Sequence, residues 1–525
     1  MKLYSNLRVL FVAFFMLCNL VLVSAQQNGL TQQVQQTTPS QKDIQPLVGE
    51  WKGVLKIGAS SLRIVFHITD SGSGYVATMD SPDQGARGIP VSRVRIEGKR
   101  VGLEVSSIGG SYTGALDESG NRLEGFWKQS GMSFPLVLVK QSTPEIHTEQ
   151  KQSQDLAASF PYSIKEVQFN GGAESVRLSG TLTMPQGQEP FPAVVLVSGS
   201  GPQNRDEEIL GHKPFFIIAD YLTKRGIAVL RYDDRGVGAS TGDYQTATTF
   251  DFAADAEAAL VFLVQQEGID VNNIGIIGHS EGAIIASIVA AGNEAGYAST
   301  YCGGHESTCD ACGSSGFNAI CEFSRPTFIV LLACPGVRGY ELLIMQNAAI
   351  GRASGLSEEQ IIEANNLNRR LYDIVIEEQD EKSLRQRLTD ALYEEIDLNA
   401  FLSPVEKEAQ KAQVPQIIAP LLSPWIRVFL QLDPMDYLRK VTVPVLALNG
   451  SKDLQVPPKP NLEAIKLALS EAGNNSSIFI ELEELNHLFQ HATTGLPSEY
   501  GEIDESFAPE VLQIIGDWIL NIISP

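Results

Sequence analysis

The chain has 525 residues, with 39 Lys plus Arg against 62 Asp plus Glu and a formal net charge of -23. Hydrophobic residues make up 43% and charged residues 19%, an ordinary globular composition that excludes long disorder, collagen-like repeats and a polytopic membrane protein. So acidic a surface repels phosphate backbones and anionic headgroups, which excludes a nucleic-acid-binding role, and a chain of this length is expected to hold about two to four domains.

Residues 1–25 open with Lys2 and Arg8, run almost wholly apolar from Val9 to Val23 and close on Val23-Ser24-Ala25. A basic start, a short apolar stretch and a small-residue exit predict a signal peptide cleaved before Gln26. The protein is therefore expected to be exported, periplasmic or secreted, with no integral membrane association after cleavage. The run is short for an uncleaved anchor, and bulky Met16 and Leu17 ahead of Cys18 argue against a lipoprotein. Residues 26–44 are rich in Gln, Thr and Ser without apolar periodicity and predict a flexible spacer.

Between residues 45 and 141 the pattern changes to short alternating runs: Trp51–Ile57, Leu62–Ile68, Tyr75–Asp80, Val91–Ile96, Val101–Val105, Tyr112–Leu116, Arg122–Trp127 and Phe134–Val139. Strands at this spacing, with almost no helical stretch between them, predict a small antiparallel sandwich or closed barrel. Gly49-Glu50-Trp51 loosely resembles the first strand of lipocalin-type barrels. No cluster of catalytic residue types falls here, and His67, inside an apolar strand, reads as a satisfied histidine. The domain is either a binding module or a structural appendage. Residues 142–161 are polar and unperiodic, as a linker would be.

Residues 162–525 alternate strand and helix. Ala193–Val197, Ile227–Tyr232, Ile274–Ile277, Thr327–Ala333 and Val443–Leu448 are apolar strands, and Lys213–Arg225 and Asp251–Gln266 have helical patterns. Apolar strands flanked by amphipathic helices predict a mostly parallel sheet covered on both faces, whose reactive groups belong at the carboxyl ends of the strands. Ile274–Ile277 runs into Gly278-His279-Ser280-Glu281-Gly282, after which Ala283–Ser287 starts a helix. Gly-x-Ser-x-Gly between strand and helix is a nucleophile elbow, a turn too tight for side chains at its flanks. A serine hydroxyl needs a base, and the base needs a carboxylate to orient it, in the chain order Ser, acid, His. Asp453 follows the strand ending at Leu448, and His487 follows the strand Ile478–Leu482. Ser280 is therefore read as nucleophile, His487 as general base and then acid, and Asp453 as its orienter. His491 competes for the base role from what is expected to be the following helix, but His487 sits in the post-strand loop that can lean over the sheet. Glu483, Glu484 and Asp433 follow no buried strand of the right rank. The oxyanion hole is assigned to the backbone N–H of Glu281 and to that of Ser200, in the glycine loop Ser198-Gly199-Ser200-Gly201-Pro202.

Several motifs in this half resemble the α/β-hydrolases of the serine aminopeptidase-like (S33) and acyl-esterase branch. They are Ser198 to Asp206, Arg231-Tyr-Asp-Asp-Arg-Gly-Val-Gly-Ala-Ser-Thr-Gly242, Gly-His-Ser-Glu-Gly and Asn486 to Gln490. The resemblance implies the triad already placed, no metal and no cofactor, with Asp233, Asp234, Arg235, Arg205 and Asp206 bracing loops beside the site. The chain departs from that branch in two places. Residues 298–325 are inserted and hold Cys302, Cys309, Cys312 and Cys321; in an exported protein these predict two local disulfides, with a zinc site as the alternative. Residues 340–438 are helical throughout and predict a cap in which Trp425, Phe429 and Leu430 either line a pocket or belong to the core.

The expected function is hydrolysis of carboxylic esters of small molecules through an acyl-enzyme. The alternatives are a serine aminopeptidase, which would need an acidic cluster to bind a substrate ammonium, and a non-catalytic carbohydrate- or ligand-binding protein on a hydrolase scaffold. The intact Ser, Asp and His in the right order argue against the last.

Overall fold

The computed structural model describes residues 47–57, 60–70, 74–81, 86–117, 119–129, 132–141, 160–292 and 325–523. The expected signal peptide and spacer, nearly all of the expected linker and the four Cys of the insertion lie outside the described residues. The chain divides into two compact units, residues up to Ser159 with Arg385–Ala419, and Phe160–Leu384 with Pro420–Pro525.

In the first unit, β1 (Gly49–Ile57), β2 (Ser60–Asp70), β3 (Tyr75–Ser81), β4 (Ala86–Pro90), β5 (Arg93–Glu97), β6 (Arg100–Val105), β7 (Gly110–Leu116), β8 (Arg122–Gln129) and β9 (Met132–Lys140) form one antiparallel sheet in the order β4-β3-β2-β1-β9-β8-β7-β6-β5. The sheet is curled, with β3 passing near β5, and no ladder joins its two edge strands among the described residues. It is thus a curled, barrel-like half-barrel. Alternation turns Trp51, Phe66, Tyr112 and Trp127 inward, each at most 2% exposed. Trp51 Nε1–H donates to Leu47 O at 2.8 Å and the Tyr112 hydroxyl to Leu123 O at 3.0 Å, so the polar tips are satisfied inside the core. The run expected at Val91–Ile96 is β5, and β4 is an additional strand. It carries Pro90, which an edge strand tolerates because the missing N–H faces no partner. His67 is satisfied, with Nε2 2.7 Å from Asp80 Oδ2.

In the second unit, β10 (Ser163–Asn170), β11 (Arg177–Met184), β12 (Phe191–Val197), β13 (Ala228–Tyr232), β14 (Ile269–His279), β15 (Phe328–Leu332), β16 (Val445–Gly450) and β17 (Ser477–Leu482) form a sheet in the order β10-β11-β13-β12-β14-β15-β16-β17. From β13 onward all neighbours are parallel, and β11 pairs antiparallel with β10 and β13. The antiparallel pair β10–β11 was not singled out in the sequence, because its outer strand is largely exposed and lacks a buried apolar run.

The central strands bury both faces. Val195 and Val197 of β12 join a core covered by α2 (Thr249–Val264), α3 (Glu281–Ala291) and, further along the sheet, Pro458–Glu471. Val194 and Leu196 join a second core with α1 (Pro214–Lys224) and the C-terminal helix Pro509–Ile523. Between β15 and β16 the chain is helical: α4 (Gly339–Ala353), α5 (Glu358–Glu377), α6 (Glu381–Leu398), α7 (Pro404–Lys411), α8 (Val414–Ile418), α9 (Pro424–Gln431) and α10 (Met435–Leu438). No helix among the described residues is long and apolar enough to cross a membrane. The strand order reverses between β13 and β14, on either side of β12. That switch point opens a crevice at the carboxyl ends of β12 and β14.

Candidate active site

Parallel pairing of Val197 with Gly278 ends β12 and β14 side by side, so the loops that follow, Ser198–Pro202 and His279–Gly282, face each other. Ser280 sits between β14 and α3 with φ 54° and ψ -119°, a strained conformation that lifts its side chain off the sheet. The flanking glycines are required: a Cβ at Gly278 would lie 2.1 Å from Gly282 O, and one at Gly282 would lie 2.1 Å from Val197 O. Ser280 N–H donates to Leu332 O at 2.8 Å, which ties the elbow to β15.

Asp453 and His487 come from the loops after β16 and β17, which are neighbours in the sheet. His487 Nδ1 lies 2.8 Å from Asp453 Oδ2, with both residues buried. The other carboxylate oxygen, Oδ1, accepts the N–H groups of Gln455 (2.9 Å) and Val456 (2.8 Å), and Asn449 Nδ2 donates to Oδ2 at 3.3 Å. A carboxylate held this way cannot swing from the imidazole, and it fixes Nδ1 as the protonated nitrogen, leaving Nε2 to accept. Ser280 is half-buried at the same sheet edge. Its Oγ makes no hydrogen bond to His487 among the described residues, a common state before substrate binds.

The two assigned oxyanion donors stand apart from their neighbours. Gly199 N–H donates to Glu207 Oε1 at 2.7 Å and Gly201 N–H to the Tyr244 hydroxyl at 2.9 Å. The Ser200 N–H between them has no acceptor among the described residues, and Ser200 is exposed. Glu281 is the first residue of α3, so its N–H has no intrahelical acceptor. The loop lies close against Ser280: a Cβ at Gly199 would be 3.1 Å from that of Ser280.

Three side chains not assigned from the sequence support this edge. Glu207, 1% exposed and with φ 50°, holds Gly199 N–H and also lies 2.9 Å from His279 Nδ1. His279 Nε2 lies 2.9 Å from His487 O. Burial opposes protonation of His279, but the Glu207 carboxylate outweighs it and holds the imidazole above its ordinary range. Tyr244 holds Gly201. The signals for these residues were weak, since Glu207 stands in an acidic run and His279 occupies the variable position of the motif.

The Glu281 side chain turns inward, where Oε1 accepts Thr249 Oγ1 at 2.6 Å and Trp425 Nε1 at 2.8 Å. Burial, working against these two bonds, pushes its carboxyl up to about 7. Trp425 stacks on Phe429 at 4.8 Å, and Phe429 and Leu430 are buried, so α9 combines a core role with one aromatic reaching the elbow.

The arginine–glycine loop braces the same edge. Asp233 accepts Arg205 Nε at 3.1 Å and Nη2 at 2.8 Å. Asp234 accepts Ser198 Oγ at 3.0 Å and Gln203 N–H at 3.0 Å. Arg235 reaches Asp255 and Asp251, and Arg231 pairs with Asp206. His491, expected in a helix, is instead in a bridge to Leu485, exposed, with Glu505 at 2.9 Å and Glu510 at 3.1 Å from its ring nitrogens. The chain turns back there and no helix begins before Pro509, apart from a short 3-10 turn. Glu483 and Glu484 are exposed, and Asp433 lies 3.8 Å from Arg338. Cys334 is a buried free thiol, its pKa pushed well up by burial.

Strand order, switch point and elbow define an α/β-hydrolase fold preceded by an all-β domain. Residues 213–300 match the family model described as serine aminopeptidase, S33. The chain is 37% identical over 126 residues to the esterase EstD of Thermotoga maritima, covering 24% of this chain and 29% of that protein. It is 32% identical over 159 residues to the esterase FrsA of Yersinia pestis, covering 29% of this chain and 35% of that protein. The chain thus spans about a third of the length of these relatives. Among solved structures, an esterase of Pyrococcus furiosus aligns at 14% identity and a TM-score of 0.38, covering 70% of this chain and 93% of that one.

Proposed function

We propose that this chain is an exported serine hydrolase that cleaves carboxylic esters of small molecules through an acyl-enzyme. The observation that carries the reading is the buried Asp453–His487 pair at 2.8 Å, on the same sheet edge as a serine in a strained elbow. In this reaction His487 Nε2 takes the proton from Ser280 Oγ as Oγ attacks the ester carbonyl carbon. The Glu281 and Ser200 N–H groups bind the oxyanion. Collapse of the tetrahedral adduct expels the alkoxide, which takes the proton from His487, and a water deprotonated by the same imidazole then releases the acid.

A serine peptidase is the second reading, favoured by the family match over residues 213–300. Esters demand less protonation of the leaving group, and EstD and FrsA are named esterases, which supports the first. Hydrolysis of short and medium p-nitrophenyl esters and of aminoacyl-p-nitroanilides by wild type and Ser280→Ala separates them. Ester turnover abolished by the substitution is expected; anilide turnover would move the assignment to a peptidase, and activity surviving Ser280→Ala would remove the serine from its role. Cys302, Cys309, Cys312 and Cys321 are proposed to form two disulfides, which predicts a mass gain of four alkyl groups only after reduction. Bound zinc is the outcome that would displace this assignment.

A further inference from the structure

Three parts of the proposed reaction arise on separate segments of chain: the oxyanion loop after β12, the nucleophile after β14 and the base after β17. One pair of buried side chains touches all three. Glu207 Oε1 accepts Gly199 N–H at 2.7 Å and lies 2.9 Å from His279 Nδ1; His279 adjoins Ser280 in the chain, and its Nε2 lies 2.9 Å from His487 O. The His279 and His487 rings are 4.8 Å apart, and the three side chains are 5% exposed or less. Building on the ester-hydrolase reading, we propose that Glu207 and His279 form a buried ion pair that positions the oxyanion loop, the nucleophile and the base relative to one another.

The proton inventory supports an ion pair. A carbonyl oxygen only accepts, so His279 Nε2 must carry a hydrogen. Glu207 Oε1 already accepts from an amide, which favours the carboxylate, and Nδ1 then carries a hydrogen as well. The charged groups facing His279 are Glu207 from the loop after β12 and, at longer range, Asp453 from the loop after β16; His487 is the other titratable group in contact. A buried charge pair with each partner also hydrogen-bonded to a chain segment fixes geometry even where its net contribution to stability is small. Glu207 stands in the left-handed region, so backbone strain is spent on aiming its carboxylate.

The test uses the full-length protein and the variants Glu207→Ala, Glu207→Gln and His279→Gln, each first checked for a wild-type melting transition. Glu207→Ala is expected to lower kcat by a factor of about 30 or more with KM within about threefold, since the groups lost act on the transition state. Glu207→Gln, which keeps an acceptor for Gly199 N–H, is expected to recover most of that loss. Phosphonylation of Ser280 by a fluorophosphonate should slow in the same order. Nitrogen-15 histidine spectra should show one imidazole doubly protonated at pH 8 that vanishes in His279→Gln and becomes neutral in Glu207→Gln. Wild-type kcat and phosphonylation rates in Glu207→Ala, or no such imidazolium in the wild type, would overturn the proposal. The two readings fail separately: if no ester is hydrolysed the proposed function falls, while the spectra and the phosphonylation rates still decide the positioning role.

Discussion

Glu281 gives the sharpest energetic expectation. Its carboxyl is buried behind the elbow, and its pKa is raised from 4.5 to about 7, chiefly by burial. The folded chain therefore binds this proton more tightly than the unfolded chain does, so the stabilisation is fully present below pH 4.5 and is lost as pH rises through 7. At 1.36 kcal/mol per pH unit the whole effect is about 3 kcal/mol, most of it falling between pH 5 and pH 8. Glu281→Gln removes the titration while its side-chain oxygen can still accept from Thr249 and Trp425. Asp234, also raised by burial, is present in both proteins, so the difference between them reports Glu281. Denaturant unfolding of wild type and variant at pH 5, 6, 7 and 8 is the assay, followed by a probe in the catalytic unit because the chain has two units. Relative to Glu281→Gln, the wild type should lose about 2 kcal/mol or more of stability from pH 5 to pH 8. A difference that stays constant to within about 0.5 kcal/mol, or changes in the other direction, would refute the argument that burial governs this carboxyl.

The two histidines near the chain's end should separate in kinetics: His487→Ala should be as damaging as Ser280→Ala, about a thousandfold or more in kcat, while His491→Ala stays within about twofold. The reverse ranking would reassign the base. Asp453→Asn should keep the fold, as judged by its melting curve, and lower kcat by about 100-fold or more by disturbing the His487 tautomer. Gly282→Ala should destabilise the catalytic unit by about 3 kcal/mol or more in denaturant unfolding, because its Cβ would meet Val197 O at 2.1 Å. An alanine variant as stable as wild type would contradict the packing described at the elbow.

The framework of the candidate site was legible in the sequence because the strongest local signals coincide with it. Buried parallel strands are continuous apolar runs, so β12 to β16 and the loops at their ends could be located without coordinates. The largely exposed β10 and the edge strand β4 carry no such run and were missed. Ser280 was marked by the glycines its turn requires, Asp453 by its place after the buried strand β16, and His487 by its place in the loop after the next strand. Glu207 was not legible. Nothing in a surface-like acidic run reveals that one carboxylate turns inward to meet a histidine 72 positions away. The helix expected around His491 failed for a related reason: tertiary contacts of the Asn486–Gln490 turn, such as Asn486 N–H to Gln490 O at 3.0 Å, outweigh local preference.

Backbone strain in the sheet unit has a direction. The non-glycine residues with positive φ among its described residues are Glu207, Leu210, Ser280, Ala333, Glu484 and Phe489. Glu207 and Leu210 follow β12, Ser280 follows β14, Ala333 follows β15, and Glu484 and Phe489 follow β17. All six therefore lie beyond the carboxyl ends of strands. Where the chain needs positive φ just before β13 and β14, at Gly226 and Gly268, it uses glycine, which adopts that conformation without a Cβ penalty. A sheet selected for stability alone would use glycine at both edges. Two of the side chains held at unfavourable φ on this edge, the Ser280 hydroxyl and the Glu207 carboxylate, have roles proposed above. The parallel core, buried on both faces, can carry such a cost, which is why the strained residues crowd the edge where the apolar strands end.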